Sequence, residues 1–113
     1  MMKKIEIITR TEKLKDVKRV LAKNEYVGMT VTAVMGCGHQ KGVIPEFKGM
    51  DFEINLLPKV QIMTVVLDED VEEILRDMHE ALSTGTVGDG KVFISDVSDV
   101  MRIRTGERGD SIL

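Results

Sequence analysis

The chain has 113 residues, 42% hydrophobic and 31% charged, with a formal charge of −3 and a pI near 5.4. That length supports one domain with a real core. The composition argues against a disordered chain, and the mild acidity against a general affinity for nucleic acid or anionic membrane.

The predicted elements run as follows. Lys3 to Thr9, "KKIEIIT", is β-branched and partly alternating, hence a strand. Thr11 is expected to cap a helix whose apolar positions Leu14, Val17, Val20 and Leu21 lie three or four apart. Gly28 to Gly36, "GMTVTAVMG", reads as a second strand, and Pro58 to Leu67, "PKVQIMTVVL", as a third. Asp68 is expected to cap a second helix, with Glu69, Asp70 and Glu72 in its first turn and Val71, Ile74, Leu75, Met78, Ala81 and Leu82 at helical spacing. Lys91 to Val97 closes as a strand, before a basic, glycine-containing tail. No apolar run approaches the roughly 20 residues that cross a bilayer, and the N-terminus lacks a signal peptide's apolar centre. A single cysteine, Cys37, makes no internal disulfide, which fits a reducing cytoplasm.

The order βαββαβ belongs to the ferredoxin-like α+β plan, an antiparallel sheet with both helices on one face. The third strand is apolar on both sides, Val60, Ile62 and Val66 one way and Met63, Val65 and Leu67 the other. A strand buried on one face alternates with polar residues. A second cover is therefore expected, most simply other copies of the chain.

Two segments are longer than connections need. Gly36 to Leu57 mixes glycines with the apolar anchors Ile44, Phe47, Phe52 and Ile54; it is either a segment that docks on a partner or a partial hairpin extending its flanking strands. Ser83 to Phe93, "STGTVGDGKVF", places three glycines, an aspartate and a lysine between helix and strand. Bare N–H groups in a glycine turn can form an anion nest beside an ammonium, although a plain loop has the same look. Gly85 to Lys91 fits the start of a Walker A pattern, but Val92 stands where Ser or Thr should follow, and the order of helix and strand is reversed. Arg102 and Arg104 have strand spacing, as paired phosphate donors or as a salt-bridged edge.

These stretches resemble, end to end, the PII signal-transduction family of nitrogen-regulatory proteins, GlnB/GlnK-like: "GMTVT", "GHQKG", "LPKV", "TGTVGDGKVF" and "RIRTGE" carry the resemblance. It implies a single domain over 1–113, with a T-loop at about 37–57, a B-loop at about 83–91 and a C-terminal segment at about 102–113. It implies a trimer that packs its sheets inward and binds ATP or ADP between subunits. Gly88, Asp89, Gly90 and Lys91 would then hold the phosphates, with Gly38 and His39 nearby. Arg102, Ile103 and Arg104 would reach in from the neighbouring chain, and Thr30, Met63 and Val65 would meet the base. Gln40 would hold Mg2+ beside the phosphates. 2-Oxoglutarate would take that ion together with Lys59 and the backbone of Gly42 and Gly88. The T-loop, with Phe47, Phe52 and Ile54, would engage a target such as an ammonium transporter or a nitrogen-metabolism enzyme or regulator.

Such a protein is a cytoplasmic allosteric regulator and not an enzyme; no nucleophile, base and orienter constellation is present. It binds no nucleic acid and meets a membrane only through a channel partner. Phe52 stands where many relatives carry a modifiable tyrosine, and Met50 where others carry a serine, so covalent switching there is excluded. His39 and Met63 replace a frequent arginine and glutamate, weakening one phosphate grip and altering base recognition. The alternatives are a sensor of adenine nucleotides without a 2-oxoglutarate response, a nitrogenase-regulating subgroup, and a small phosphohydrolase. Cys37 and His39 alone fall short of a zinc site, and His79 reads as a surface or boundary histidine.

Overall fold

The computed structural model describes residues 1–37 and 56–113. Six principal elements follow in order: β1 (Met2–Arg10), α1 (Leu14–Lys23), β2 (Thr30–Gly36), β3 (Leu57–Leu67), α2 (Val71–Leu82) and β4 (Lys91–Val97). The sheet order is β2-β3-β1-β4, with antiparallel pairing throughout. This is the ferredoxin-like α+β arrangement expected from the element order.

Alternation along the central strands decides which face the helices cover. Ile5, Ile7 and Thr9 of β1 and Val60, Ile62, Thr64 and Val66 of β3 are buried. Val17, Val20 and Leu21 of α1, and Val71, Ile74, Met78 and Leu82 of α2, close over them in one cluster. At about 25 cal/mol per Å² of apolar surface, a core of this kind is the main stabilising term. Its two buried hydroxyls are satisfied: Thr64 Oγ1 donates to Gly28 O at 2.8 Å, and Thr9 Oγ1 to Asp89 O at 2.8 Å.

The opposite face bears no helix. Met63, Val65 and Leu67 of β3 are half-buried there, and Phe93 of β4 is 51% exposed. The doubly apolar reading of β3 therefore describes the chain correctly, with the second face left open.

Both expected helix caps differ from the structure. Thr11 and Asp68 each open a short 3-10 turn, Thr11–Lys13 and Asp68–Asp70, and the α-helices begin after them at Leu14 and Val71. The two helix N-caps are Lys13 and Asp70, and neither makes a side-chain capping bond. A tight 3-10 turn offers its own i→i+3 bonds to the first amides, so no side-chain acceptor is required. Tyr26, between α1 and β2, locks that corner by accepting from Leu67 N at 3.0 Å and donating to the Asp70 carboxylate.

Among the described residues, no helix is long and apolar enough to cross a membrane.

Candidate functional site: a glycine loop tethered by its carbonyls

The connection from α2 to β4 lies against the ends of β1 and β3. Three consecutive carbonyls of this loop are held by three side chains of the sheet. Val87 O accepts from Arg10 Nη2 at 3.0 Å, Gly88 O from Lys59 Nζ at 3.1 Å, and Asp89 O from Thr9 Oγ1 at 2.8 Å. Among the described residues there is no cis peptide. In a trans peptide the N–H points opposite to its C=O. Anchoring these three carbonyls therefore turns the N–H groups of Gly88, Asp89 and Gly90 each away from its own peptide's anchor. Among the described residues, no backbone acceptor takes any of the three.

Glycine is required twice. Gly90 has φ +108, and a Cβ there would stand 2.0 Å from Ile8 O and 2.9 Å from Thr9 Cα, so the loop could not lie against β1. Gly88 has φ +102, and its missing Cβ is the space that Arg10 Nη2 occupies, 2.9 Å away. Both conformations are open to glycine and strained for other residues.

Asp89 shapes the loop from within. Its carboxylate accepts from Thr84 N at 2.7 Å, Gly85 N at 3.1 Å and Thr84 Oγ1 at 2.5 Å. These hydrogen bonds, led by the Thr84 hydroxyl and then the Thr84 amide, lower its pKa to about 2. The carboxylate is thus committed to the loop's own amides and the Thr84 hydroxyl, while the Asp89 backbone N–H has no backbone acceptor among the described residues.

A cleft of about 480 Å³ opens beside the loop, lined by Thr86 to Lys91 together with Ile8, Gly36, Cys37, Lys59 and Phe93. A smaller cavity of about 270 Å³ lies on the helix side of the loop, against Leu75, Met78, His79 and Leu82. The larger one has the loop, Lys59 and Lys91 in its lining. His79, on the α2 wall of the smaller cavity, is an exposed residue, as its helical position implied.

The structure brings Lys59, Gly88, Asp89, Gly90 and Lys91 around this one cleft. Thr30 and Met63 are direct partners in the β2–β3 register and lie on the open face of the sheet with Val65. Arg102 and Arg104 are not on a strand, which corrects the expectation drawn from their spacing. An isolated bridge joins Met101 to Arg108, and the intervening residues form a turn closed by Arg102 N→Glu107 O at 2.8 Å and Gly106 N→Arg102 O at 2.8 Å. Arg102 Nη1 is paired with Glu107 Oε1 at 2.6 Å, Arg104 is exposed, and Ile103 is 90% exposed. Within the chain, no hydrogen bond or ion pair among the described residues links these arginines to the glycine loop.

Gly38, His39, Gln40, Gly42, Phe47, Phe52 and Ile54 fall outside the described residues. Among the described residues, no group of three or more His, Cys, Asp or Glu side chains forms a metal site. Sequence reasoning did not single out Thr9 or Arg10. The usable signal was a threonine on the buried face of β1, two residues after Ile7, immediately before a cation on the other face.

The comparisons with known proteins agree with the fold. The family model described as "Nitrogen regulatory protein P-II" matches residues 2–107. Nitrogen regulatory protein P-II 1 of Methanothermobacter thermautotrophicus is 51% identical over 108 residues, covering 96% of this chain and 94% of that protein. Nitrogen regulatory protein P-II 1 of Escherichia coli K12 is 44% identical over 112 residues, covering 99% of this chain and 100% of its own. The solved structure of B. subtilis GlnK superposes with a TM-score of 0.81 at 35% identity, covering 99% of this chain and 98% of that one. A whole-chain family match, close relatives of the same length and a shared fold lead to one conclusion: this chain is a member of the nitrogen regulatory protein P-II family of signalling regulators.

Proposed function

We propose that this protein senses nitrogen and energy status by binding ATP or ADP, and 2-oxoglutarate, at the cleft beside the glycine loop, and that it controls a target protein through the segment at about 37–57. One observation carries the reading: three anchored carbonyls turn the N–H groups of Gly88, Asp89 and Gly90 away from their anchors, in a loop that lines the cleft beside Lys91. Converging amides with a mobile ammonium are the chemistry of a phosphate cradle. The donor set fits a nucleotide's phosphates.

Lys59 would leave Gly88 O to pair with a carboxylate of 2-oxoglutarate, with backbone N–H groups of Gly42 and Gly88 assisting. Gln40 would hold Mg2+. Arg102, Ile103 and Arg104 would complete the nucleotide site from an adjoining subunit, and Thr30, Met63 and Val65 would meet the base. That assembly is a trimer burying the open face on which Met63, Val65 and Phe93 lie. Phe47, Phe52 and Ile54 would meet the target, an ammonium transporter or a nitrogen-metabolism enzyme or regulator. Control runs by ligand alone, without tyrosine nucleotidylylation, in the cytoplasm and without catalysis. Each effector must bind one state of the protein better than another to have an effect.

The test is calorimetry with ATP and with ADP, each with and without Mg2+ and 2-oxoglutarate. 2-Oxoglutarate is expected to bind only alongside Mg-ATP. Equal binding to nucleotide-free protein would refute the shared site. Light scattering is expected to give three times the chain mass of 12.6 kDa. Steady phosphate release at enzyme-like turnover, abolished by Lys91→Ala, would favour a phosphohydrolase instead.

A further inference from the structure

Arg10 ends β1 on the open face of the sheet, directly opposite Lys59 in the β1–β3 register. Like charges facing each other across an antiparallel pair are destabilising. This pair is tolerated because the glycine loop supplies acceptors to both. Lys59 takes Gly88 O, and Arg10 takes Val87 O.

Arg10 does more than meet one carbonyl. Its Nη2 also lies 3.5 Å from Thr86 Oγ1, and its Nε lies 3.9 Å from Asp89 Oδ1, an ion-pair distance. That Nε is buried and has no hydrogen-bond acceptor among the described residues. The orientation of the guanidinium thus follows the loop's contacts rather than its own satisfaction. The group also fills the volume that Gly88 leaves empty.

We infer that Arg10 is a positioning residue of the glycine loop: its guanidinium holds Thr86 to Asp89 over the sheet and so fixes the orientation of the peptide N–H groups of Gly88, Asp89 and Gly90 at the cleft. The inference rests on the proposal that this loop binds phosphate. It also gives Arg10 a distinct part in the response to two ligands. When Lys59 turns to a carboxylate, Gly88 O is released, and Arg10 and Thr9 still keep the loop formed. A lysine at this position has charge but not the planar fork, so its donors are not held in the fixed geometry that spans Thr86 to Asp89.

The experiment uses Arg10→Met, which keeps an apolar stem, and Arg10→Lys, which keeps the charge. In ligand-free protein, hydrogen exchange of the Thr84 and Gly85 amides, which donate to the Asp89 carboxylate, is expected to quicken about tenfold in Arg10→Met, the loss of a charge-assisted hydrogen bond. The amides of β1 and β3 should be unchanged. Calorimetry with Mg-ATP is expected to show about a tenfold weaker Kd for Arg10→Met and an intermediate value for Arg10→Lys. Gly88→Ala supplies a readout that a merely structural arginine would not move. Its effect on Kd should be smaller in the Arg10→Met background than in the wild type, because the guanidinium it strikes is gone.

Unchanged loop exchange in Arg10→Met overturns the inference, as does strict additivity with Gly88→Ala. Should Arg10→Met fail to fold, wild-type exchange and affinity in Arg10→Lys would overturn it equally. Failure of the wild-type protein to bind ATP would refute the phosphate reading, while the exchange measurement would still decide whether Arg10 holds the loop.

Discussion

Replacing Gly90 with alanine tests how closely the loop must lie on the sheet. Two costs combine. The φ of +108 is strained for a residue with a Cβ, at about 1–3 kcal/mol. The new methyl would also stand 2.0 Å from Ile8 O and 2.9 Å from Thr9 Cα. Both atoms are backbone in a central strand, so no rotamer change relieves the contact. The loop must lift, which breaks the 2.8 Å bond from Thr9 Oγ1 to Asp89 O, worth about 1 kcal/mol. Together the lifting costs about 2–4 kcal/mol, equivalent to a loss of roughly 30-fold or more in Mg-ATP affinity measured by calorimetry. Gly85→Ala is the control: φ is +80, but nothing lies within 4 Å of its Cβ, so only the conformational cost of about 1–2 kcal/mol remains. Wild-type ATP affinity in Gly90→Ala, or equal damage from the two substitutions, would refute the reasoning.

Further expectations concern the loop carboxylate, the Tyr26 corner and the core. Because the loop's hydrogen bonds lower the Asp89 pKa from 3.8 to about 2, they stabilise the loop fully above the unfolded value and progressively less as pH falls through about 2. Nucleotide affinity and loop amide protection should therefore share an acid limb between those values, one that Asp89→Asn removes. Tyr26→Phe leaves Leu67 N and the Asp70 carboxylate without their partner, costing about 1–3 kcal/mol and lowering Tm by several degrees in a thermal melt. Burial, followed by the Asp70 hydrogen bond, raises the Tyr26 pKa above 10.0. Its contribution is thus complete below pH 10.0 and is lost as pH rises through the folded value, so the wild type should lose its advantage over Tyr26→Phe only in strong alkali. Ile62→Ala, at a fully buried position in β3, should cost about 2–5 kcal/mol in urea unfolding, against under about 1 kcal/mol for exposed Val31→Ala on the β2 edge.

Local order was legible to a large degree. The period-two pattern in β1 and β3 and the helical spacing of α1 and α2 place each apolar side chain on the face it takes, because the pattern itself fixes which residues share a side. Helix starts were less legible. Thr11 and Asp68 have capping chemistry, yet both serve in 3-10 turns, since a strand that ends against the sheet must bend sharply before a helix can begin. Arg102 and Arg104 misled through spacing alone. A two-residue interval says strand only where neighbours pair, and here Gly106 and the 102–107 hydrogen bonds close a turn.

The glycine loop divides along the same line. Its glycines, its lysine and its place between α2 and β4 are visible in a linear reading, because turn chemistry is carried by residue types close together in the chain. What makes the loop a cradle is contact across the sequence: Thr9, Arg10 and Lys59 seize the carbonyls of Val87, Gly88 and Asp89 from strands about 30 to 80 positions away. Only the antiparallel register of β1 and β3 sets Arg10 opposite Lys59, and only folding shows that Asp89 turns toward its own loop. Short-range pattern chooses the elements; the direction in which a peptide points is decided by partners that the chain meets only after the sheet has formed.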